Sequence, residues 1–121
     1  HDRLICDGSS PSPQLTHWTR DRHRGKRIPL EVMVEKQTRR NARLYGFADR
    51  CTIEAGMRAD INVIDLDRLT VGRPVAHHDL PAGGMRYLQP VAGYLATFVN
   101  GVQTRENDAD TGERPGGLIR G

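Results

Sequence analysis

Apolar positions along the chain recur in two rhythms, a helical one in the first third and a period near two afterwards. In "PLEVMVEKQTRRNARLYG", residues 29–46, Leu30, Met33, Val34, Thr38, Ala42 and Tyr45 keep helical spacing, which predicts one apolar face. Pro29 suits the first helical position. Glu31 lies in the first turn, where the helix dipole favours an anion, and Gly46 suits the left-handed residue past the C-terminus. Thr38 is β-branched and able to cap, so a break into two shorter helices there is the alternative. Upstream, "QLTHWTRDR", residues 14–22, carries Leu15 and Trp18 at i and i+3 and predicts a short amphipathic helix. Residues 1–13 include "CDGSSPSP", whose turn formers predict a loop.

After Gly46 the pattern changes to short β-branched runs between turn residues. "DINVIDL" (60–66) and "YLATFVNG" (94–101) are the two clearest strands; "MRYLQPV" (85–91) is weaker because Pro90 limits it to an edge. Asn100-Gly101 tolerates positive φ at both positions and predicts a type I′ hairpin turn. "HHDL" (77–80) reads as a polar turn leading into Pro81, Gly83 and Gly84. Residues 105–117 read as a charged loop or tail, pinned at its end by Leu118 and Ile119. In "TIEAGMRADINVID" (52–65), Gly56 permits a tight turn, Ala59 allows close packing, Asp60 precedes the strand, and Ile61, Val63 and Ile64 predict a strand buried on both sides. The expected class is α+β, helical over residues 1–50 and β-rich over 51–121, with no internal repeat.

Composition narrows this picture. A chain of 121 residues fits one domain or one and a half small subdomains. With 36% hydrophobic residues and only 5% aromatic ones, the core should be thin and aliphatic. No run approaches the roughly 20 apolar residues needed to span a bilayer, and no secretory signal pattern opens the chain, so the expectation is a soluble, cytoplasmic protein without a membrane partner. The first residue is His1 rather than Met, which suggests processing, an isolated domain or a fragment. Net charge is +3, too small an excess for a dedicated nucleic-acid binder. The one basic stretch, "RDRHRGKR" (20–27) beside Trp18, reads as a solvated loop; a phosphate-contacting surface is its alternative.

Candidate chemistry is sparse. The five histidines, His1, His17, His23, His77 and His78, stand in no HxH or HExxH arrangement, so none forms a local ligand pair for one ion. His78 and Asp79 are adjacent, and neighbouring strand residues point to opposite faces. Cys6, Ser9 and Ser10 lie outside any GxSxG elbow, and only Arg3 stands near Cys6 as a cation. Cys6 and Cys51 read as two buried thiols, with pairing as the alternative, and do not fix a redox compartment. Neither phosphate-cradling glycine motif occurs.

The segments nevertheless fall into a familiar order. "LTHWTRDRHRGKRIPLEVMVEKQTRRNARLYGFADRCTIEAGMRADINVIDLDRL", then "HDLPAGGMRYLQ", "GYLATFVNGV" and "TGERPGGLIRG", resemble the C-terminal third of amidohydrolase-superfamily enzymes of the N-acyl-D-amino-acid deacylase (D-aminoacylase) group. The resemblance implies the last helices of a (β/α)8 barrel followed by part of a small β-sandwich. For the parent enzyme it implies one or two divalent metals, usually zinc, and hydrolysis of a C–N amide bond such as that of an N-acyl amino acid. "HDRLICDGSS" is similar to the residues just after the family's catalytic Asp. His1 then takes the place of the His that closes that motif and Asp2 lies one position beyond it, both in an active-site loop, with every metal ligand and the base upstream. The resemblance thus assigns no catalytic residue and no metal ligand to this segment, and implies that the segment alone is inactive. Gly56, Ala59 and Asp60 belong to its structural motif. This chain has "RRNA" where many relatives break the helix with Asn-Pro. The implied partner is the N-terminal barrel portion, or a second copy through self-association. A standalone structural or binding module using the basic loop 20–27 is the competing reading.

Overall fold

The computed structural model describes residues 9–119. Helix α1, Pro11–Leu15, runs directly into a π-helical turn, Thr16–Asp21. Of the loop expected over residues 1–13, the first eight lie outside the described residues and Pro11–Pro13 are helical, so the helix starts three residues before Gln14. Proline is tolerated there because first-turn amides lack helical partners anyway. Inside the wide turn, the Thr19 hydroxyl donates to the Leu15 carbonyl. The chain leaves the helix at Arg22, and the Ile28 amide returns to the Trp18 carbonyl at 2.9 Å, closing the basic loop.

Helices α2, Leu30–Gln37, and α3, Arg39–Tyr45, meet at Thr38, whose φ of −116° and ψ of −95° interrupt the helix. The Thr38 hydroxyl donates back to the Val34 carbonyl at 2.7 Å, the local bond that competes with a continuous ladder. Gly46 takes the left-handed conformation (φ 74°), and the Phe47 amide returns to the Ala42 carbonyl at 2.8 Å. Pro29 sits one place before the first helical residue rather than on it. The apolar face departs further from expectation. Met33 and Ala42 are buried, but Leu30 and Val34 are exposed, and Leu44 and Tyr45 are 78% and 72% exposed. Met33 packs against Leu15 and Leu69, and no described element covers the side of α2 and α3 that carries Leu30, Val34, Leu44 and Tyr45.

The β-rich part contains β1 (Ile61–Ile64), β2 (Thr70–Val71), β3 (Val75–Leu80), β4 (Gly84–Leu88), β5 (Val91–Ala92), β6 (Tyr94–Val99), β7 (Val102–Glu106) and β8 (Ala109–Asp110). The main sheet is antiparallel in the order β1-β6-β7-β8; β2 pairs with β5, and β3 with β4. Asn100 and Gly101 both have positive φ (51° and 79°), as a type I′ turn requires. Pro90 separates β4 from β5, since it has no amide to continue a ladder.

Four expectations need correction. His77, His78 and Asp79 lie within β3, and the turn falls later, at Pro81–Gly83. β1 is an edge strand with Val63 43% exposed, so it is not buried on both sides. Residues 105–117 are not all loop: β7 continues to Glu106, and a second tight turn at Asn107 and Asp108 (φ 46° and 67°) leads to β8. Leu118 and Ile119 do not pin the segment before them, because Leu118 is 80% exposed and Ile119 is exposed as well.

The core is as thin as the composition implies. Leu15, Met33 and Leu69 form its buried centre, with Ile28, Ile64, Leu66, Val91 and Tyr94 packed around it. Leu69 is fully buried. Gly93, at φ 111°, lies so close that a Cβ there would come within 2.7 Å of the Leu69 Cα. Arg20 ties the helical part to this centre: its guanidinium donates to the carbonyls of Leu66, of Asp67 at 3.2 Å and of Leu69 at 3.0 Å. Asp108 accepts the amides of Gly93 (3.0 Å) and Tyr94 (2.8 Å), and the Tyr94 and Ser12 hydroxyls meet at 2.8 Å. At the far edge, Arg114 grips Asp110 at 2.9 and 2.7 Å while the Gly112 amide donates to it at 2.8 Å. The Arg114 hydrogen bonds, then the Gly112 amide, lower the Asp110 pKa from 3.8 to about 2.

Three outcomes follow from this packing. Arg20→Gln should lower stability by roughly 2 kcal/mol, because carbonyls that gained a charged donor lose most of it; a fall in thermal midpoint of several degrees in calorimetry checks this. Gly93→Ala should cost more, on the order of 3 kcal/mol, since it combines a left-handed φ with a backbone clash, and chemical denaturation measures it. For Asp110, a folded pKa below its ordinary value means that its contribution is complete above pH 3.8 and is lost as pH falls through about 2. A carboxyl NMR titration should place its midpoint near 2, and Arg114→Gln should move it up toward 3.8.

Candidate functional site

A concavity of about 650 Å³ lies between one face of the main sheet and the β3–β4 hairpin. Its floor follows from strand register. Asn62 stands opposite Thr97, and Thr97 opposite Arg105, and directly opposed residues project from the same face. The Thr97 hydroxyl donates to Asn62 Oδ1 at 2.9 Å. Ile64 and Tyr94, also opposed, continue this face into the core. The roof carries Val75 opposite Leu88 and His77 opposite Arg86. One end is closed by Ser9, which donates to Gln89 Oε1 at 2.6 Å, and Gln89 Nε2 donates onward to the Gly72 carbonyl at 3.0 Å.

The acids around this groove already have partners. Asp108 is held by two amides as described. Asp79 accepts Arg86 at 2.7 and 2.5 Å, and this pairing holds its carboxylate below the usual range. A groove with an apolar flank and a cation, Arg105, on its floor can hold a ligand, but it contains no base aimed at a nucleophile.

Zinc, which the resemblance implies for the parent, does not fit the residues described. Among them no group of three His, Cys, Asp or Glu gathers around one point. His77 lines the groove, whereas His78 Nδ1 lies 3.4 Å from the Gly83 carbonyl, and Asp79 belongs to Arg86. Cys51 is a half-buried free thiol at φ 69°. Cys6, and His1 and Asp2, for which the resemblance implies an active-site loop, lie outside the described residues.

Of the turn residues, Ala59 and Asp60 meet the main hairpin, and Gly56 shapes the turn before them. Gly56 adopts φ 88° in a turn closed by the Met57 amide on the Glu54 carbonyl at 3.2 Å. The Ala59 carbonyl accepts the Gly101 amide at 2.9 Å, and Asp60 Oδ1 accepts the Asn100 amide at 2.8 Å. Arg58 binds the Asp60 carboxylate at 3.0 Å, with Arg50 at 3.8 Å. Ala59 and Asp60 thus stand at the base of β1, beside the β6–β7 turn, and none of the three residues lines the groove.

The basic stretch 20–27 is partly committed inward. Arg20 serves the carbonyls of residues 66, 67 and 69, and Arg22 stacks 4.6 Å over the Trp18 ring while donating to the Arg24 carbonyl at 2.5 Å. The indole face that would stack on a base is therefore occupied by the chain's own guanidinium. His17 meets the Trp18 ring edge-on at 5.0 Å.

Sequence reasoning missed the Asn62–Thr97–Arg105 row. Counting back from the Asn100-Gly101 turn pairs Thr97 with Thr104, but a bulge shifts the register so that Arg105 stands opposite Thr97. Alternation in "VQTRE" signals the strand; no pattern marks the bulge.

Among the described residues no helix is long and apolar enough to cross a membrane. Comparison with curated proteins and with solved structures gives no match. The amidohydrolase family model matches residues 1–105. That span takes in the helices, every strand from β1 to β6 and all but the last residue of β7. A match over so much of a mixed helix-and-antiparallel-sheet chain is decisive for the family: the chain belongs to the amidohydrolase family.

Proposed function

We propose that this chain serves an amidohydrolase that cleaves the C–N amide bond of N-acyl-D-amino acids or closely related amides. Residues 9–50 would supply the helices that follow the last barrel strand, and residues 51–119 would supply part of the small β-sandwich. The observation that carries this reading is the family match over residues 1–105. The helix pair interrupted at Thr38, followed by a glycine turn and an antiparallel β1–β6 pair, supports the finer assignment. Exposed Leu30, Val34, Leu44 and Tyr45 give α2 and α3 an apolar side suited to rest on a barrel. Without that partner, the same side and the open edge of β1 favour self-association.

The metal of such an enzyme, zinc in most relatives that the sequence resembles, is assigned to groups outside residues 9–119, as is the acid–base residue. The part proposed for this segment is mechanical. It seats the helices through Arg20 and closes the sandwich through the Asp60–Asn100 contact.

The purified 121-residue chain should bind well under one zinc per molecule by elemental analysis and should not hydrolyse N-acetyl-D-amino acids. Co-expression with the barrel segment of an N-acyl-D-amino-acid deacylase lacking its own C-terminal part should restore hydrolysis. One tightly bound zinc per isolated chain would overturn the assignment of the metal. Failure to complement, where that enzyme's own C-terminal part succeeds, would overturn the proposed subtype.

A further inference from the structure

We infer that the groove between the Asn62–Thr97–Arg105 face and the β3–β4 hairpin is a binding site for a small amphipathic monocarboxylate. Arg105 would hold the carboxylate, and the Val75–Leu88 flank would receive the aliphatic part. A volume of about 650 Å³ is of the size that small-molecule sites occupy. Its lining divides by chemistry: Asn62, Thr97, Arg105 and His77 are polar, while Val75, Leu88, Pro90 and Val91 are apolar.

Charge selects the ligand. Asp108 in the groove is taken by the amides of Gly93 and Tyr94, Asp79 on the hairpin by Arg86, and Asp110 across from Arg105 by Arg114 in a two-point grip. Arg105, by contrast, donates no side-chain hydrogen bond to any described residue and is exposed to the groove. A guanidinium offers two parallel N–H groups at the spacing of a carboxylate, which makes a planar monoanion the matching group. The Thr97 hydroxyl is already turned to Asn62 Oδ1, which leaves Arg105 as the cationic donor on the floor and Asn62 Nδ2 as a neutral one beside it. The apolar flank disfavours a small, fully hydrated anion and favours one with an alkyl body. This site lies on the sheet and involves no hydrolytic chemistry, so it stands whether or not the parent acts on N-acyl amino acids.

Heteronuclear NMR titration of the full chain with hexanoate, hexanamide and acetate tests it. Hexanoate should bind saturably, with the largest shifts at Val75, Thr97 and Arg105. Hexanamide, of the same shape but uncharged, and acetate, charged but without the tail, should each bind at least about tenfold more weakly, the ratio that one strong contact confers. Arg105→Gln should weaken hexanoate by a similar factor, and Arg105→Lys should recover only part of it. Absence of saturable shifts, equal binding of hexanoate and hexanamide, or undiminished binding by Arg105→Gln would each overturn the proposal. If Arg105→Gln fails to fold, the three-ligand comparison on the unaltered chain decides it.

Discussion

The Arg20 guanidinium binds the carbonyl oxygens of Leu66, Asp67 and Leu69, and much of the architecture depends on that grip. The segment from Asp65 to Leu69 turns sharply out of β1 and leaves main-chain acceptors facing inward, where unpaired carbonyls are costly. A planar cation with several N–H groups can satisfy them from one direction. Once the turn is held, the fully buried Leu69 side chain is delivered between Leu15 and Met33, so one residue joins α1, α2 and the sheet. Gly93 completes the arrangement by letting the start of β6 press against the Leu69 backbone, closer than any side chain would allow. The π-helical turn fits the same geometry, since the wider turn carries Arg20 on the segment that faces residues 66–69.

With so much resting on a few residues, the molecule has little redundancy. Only Leu15, Met33, Ala42 and Leu69 are buried among its described hydrophobic residues. Apolar side chains on α2, α3 and β1 remain in contact with water. Polar connections therefore carry an unusual share of the joining: Ser12 to Tyr94, Ser9 to Gln89, and Asp108 to the amides of Gly93 and Tyr94 each link distant parts of the chain. These uncovered apolar sides all lie within the span that the amidohydrolase family model matches.

The parts legible in the sequence are those set by local chemistry. Gly46 ended α3, Pro90 ended β4, and Asn100-Gly101 turned the hairpin, because each residue restricts or relaxes φ irrespective of tertiary context. Thr38 offered a break and the break occurred, through its own hydroxyl on the Val34 carbonyl. The failures share a different cause. His77-His78-Asp79 looked like a turn because polar residues cluster there, yet Arg86 on β4 pairs with Asp79 and makes an exposed two-stranded ribbon workable. Asn107-Asp108 resembles tail by composition, although both residues tolerate positive φ; the capping of Gly93 and Tyr94 by Asp108, which justifies the turn, is a contact across 15 and 14 residues.

The groove was invisible for a related reason, and the two bulges explain it. In β6–β7 the extra residue falls at Thr104, and in β1–β6 at Leu95, between partners whose order the turns would otherwise dictate. Neither position carries glycine or proline, so nothing local announces it. A bulge adds twist and reverses which side chains face a given layer beyond it. Without the Thr104 bulge, Thr104 would stand opposite Thr97 and Arg105 would belong to the other face of the sheet. With it, Arg105 joins Asn62 and Thr97 on the face that continues inward to Ile64 and Tyr94. The cation that gives the groove its charge is thus placed by a register shift, which depends on the Thr104 carbonyl finding the Thr111 amide at 3.1 Å and the Thr104 hydroxyl finding the Thr97 carbonyl at 3.3 Å. Charge in the groove and the anchoring of Thr111, just past β8, therefore both involve one irregular residue.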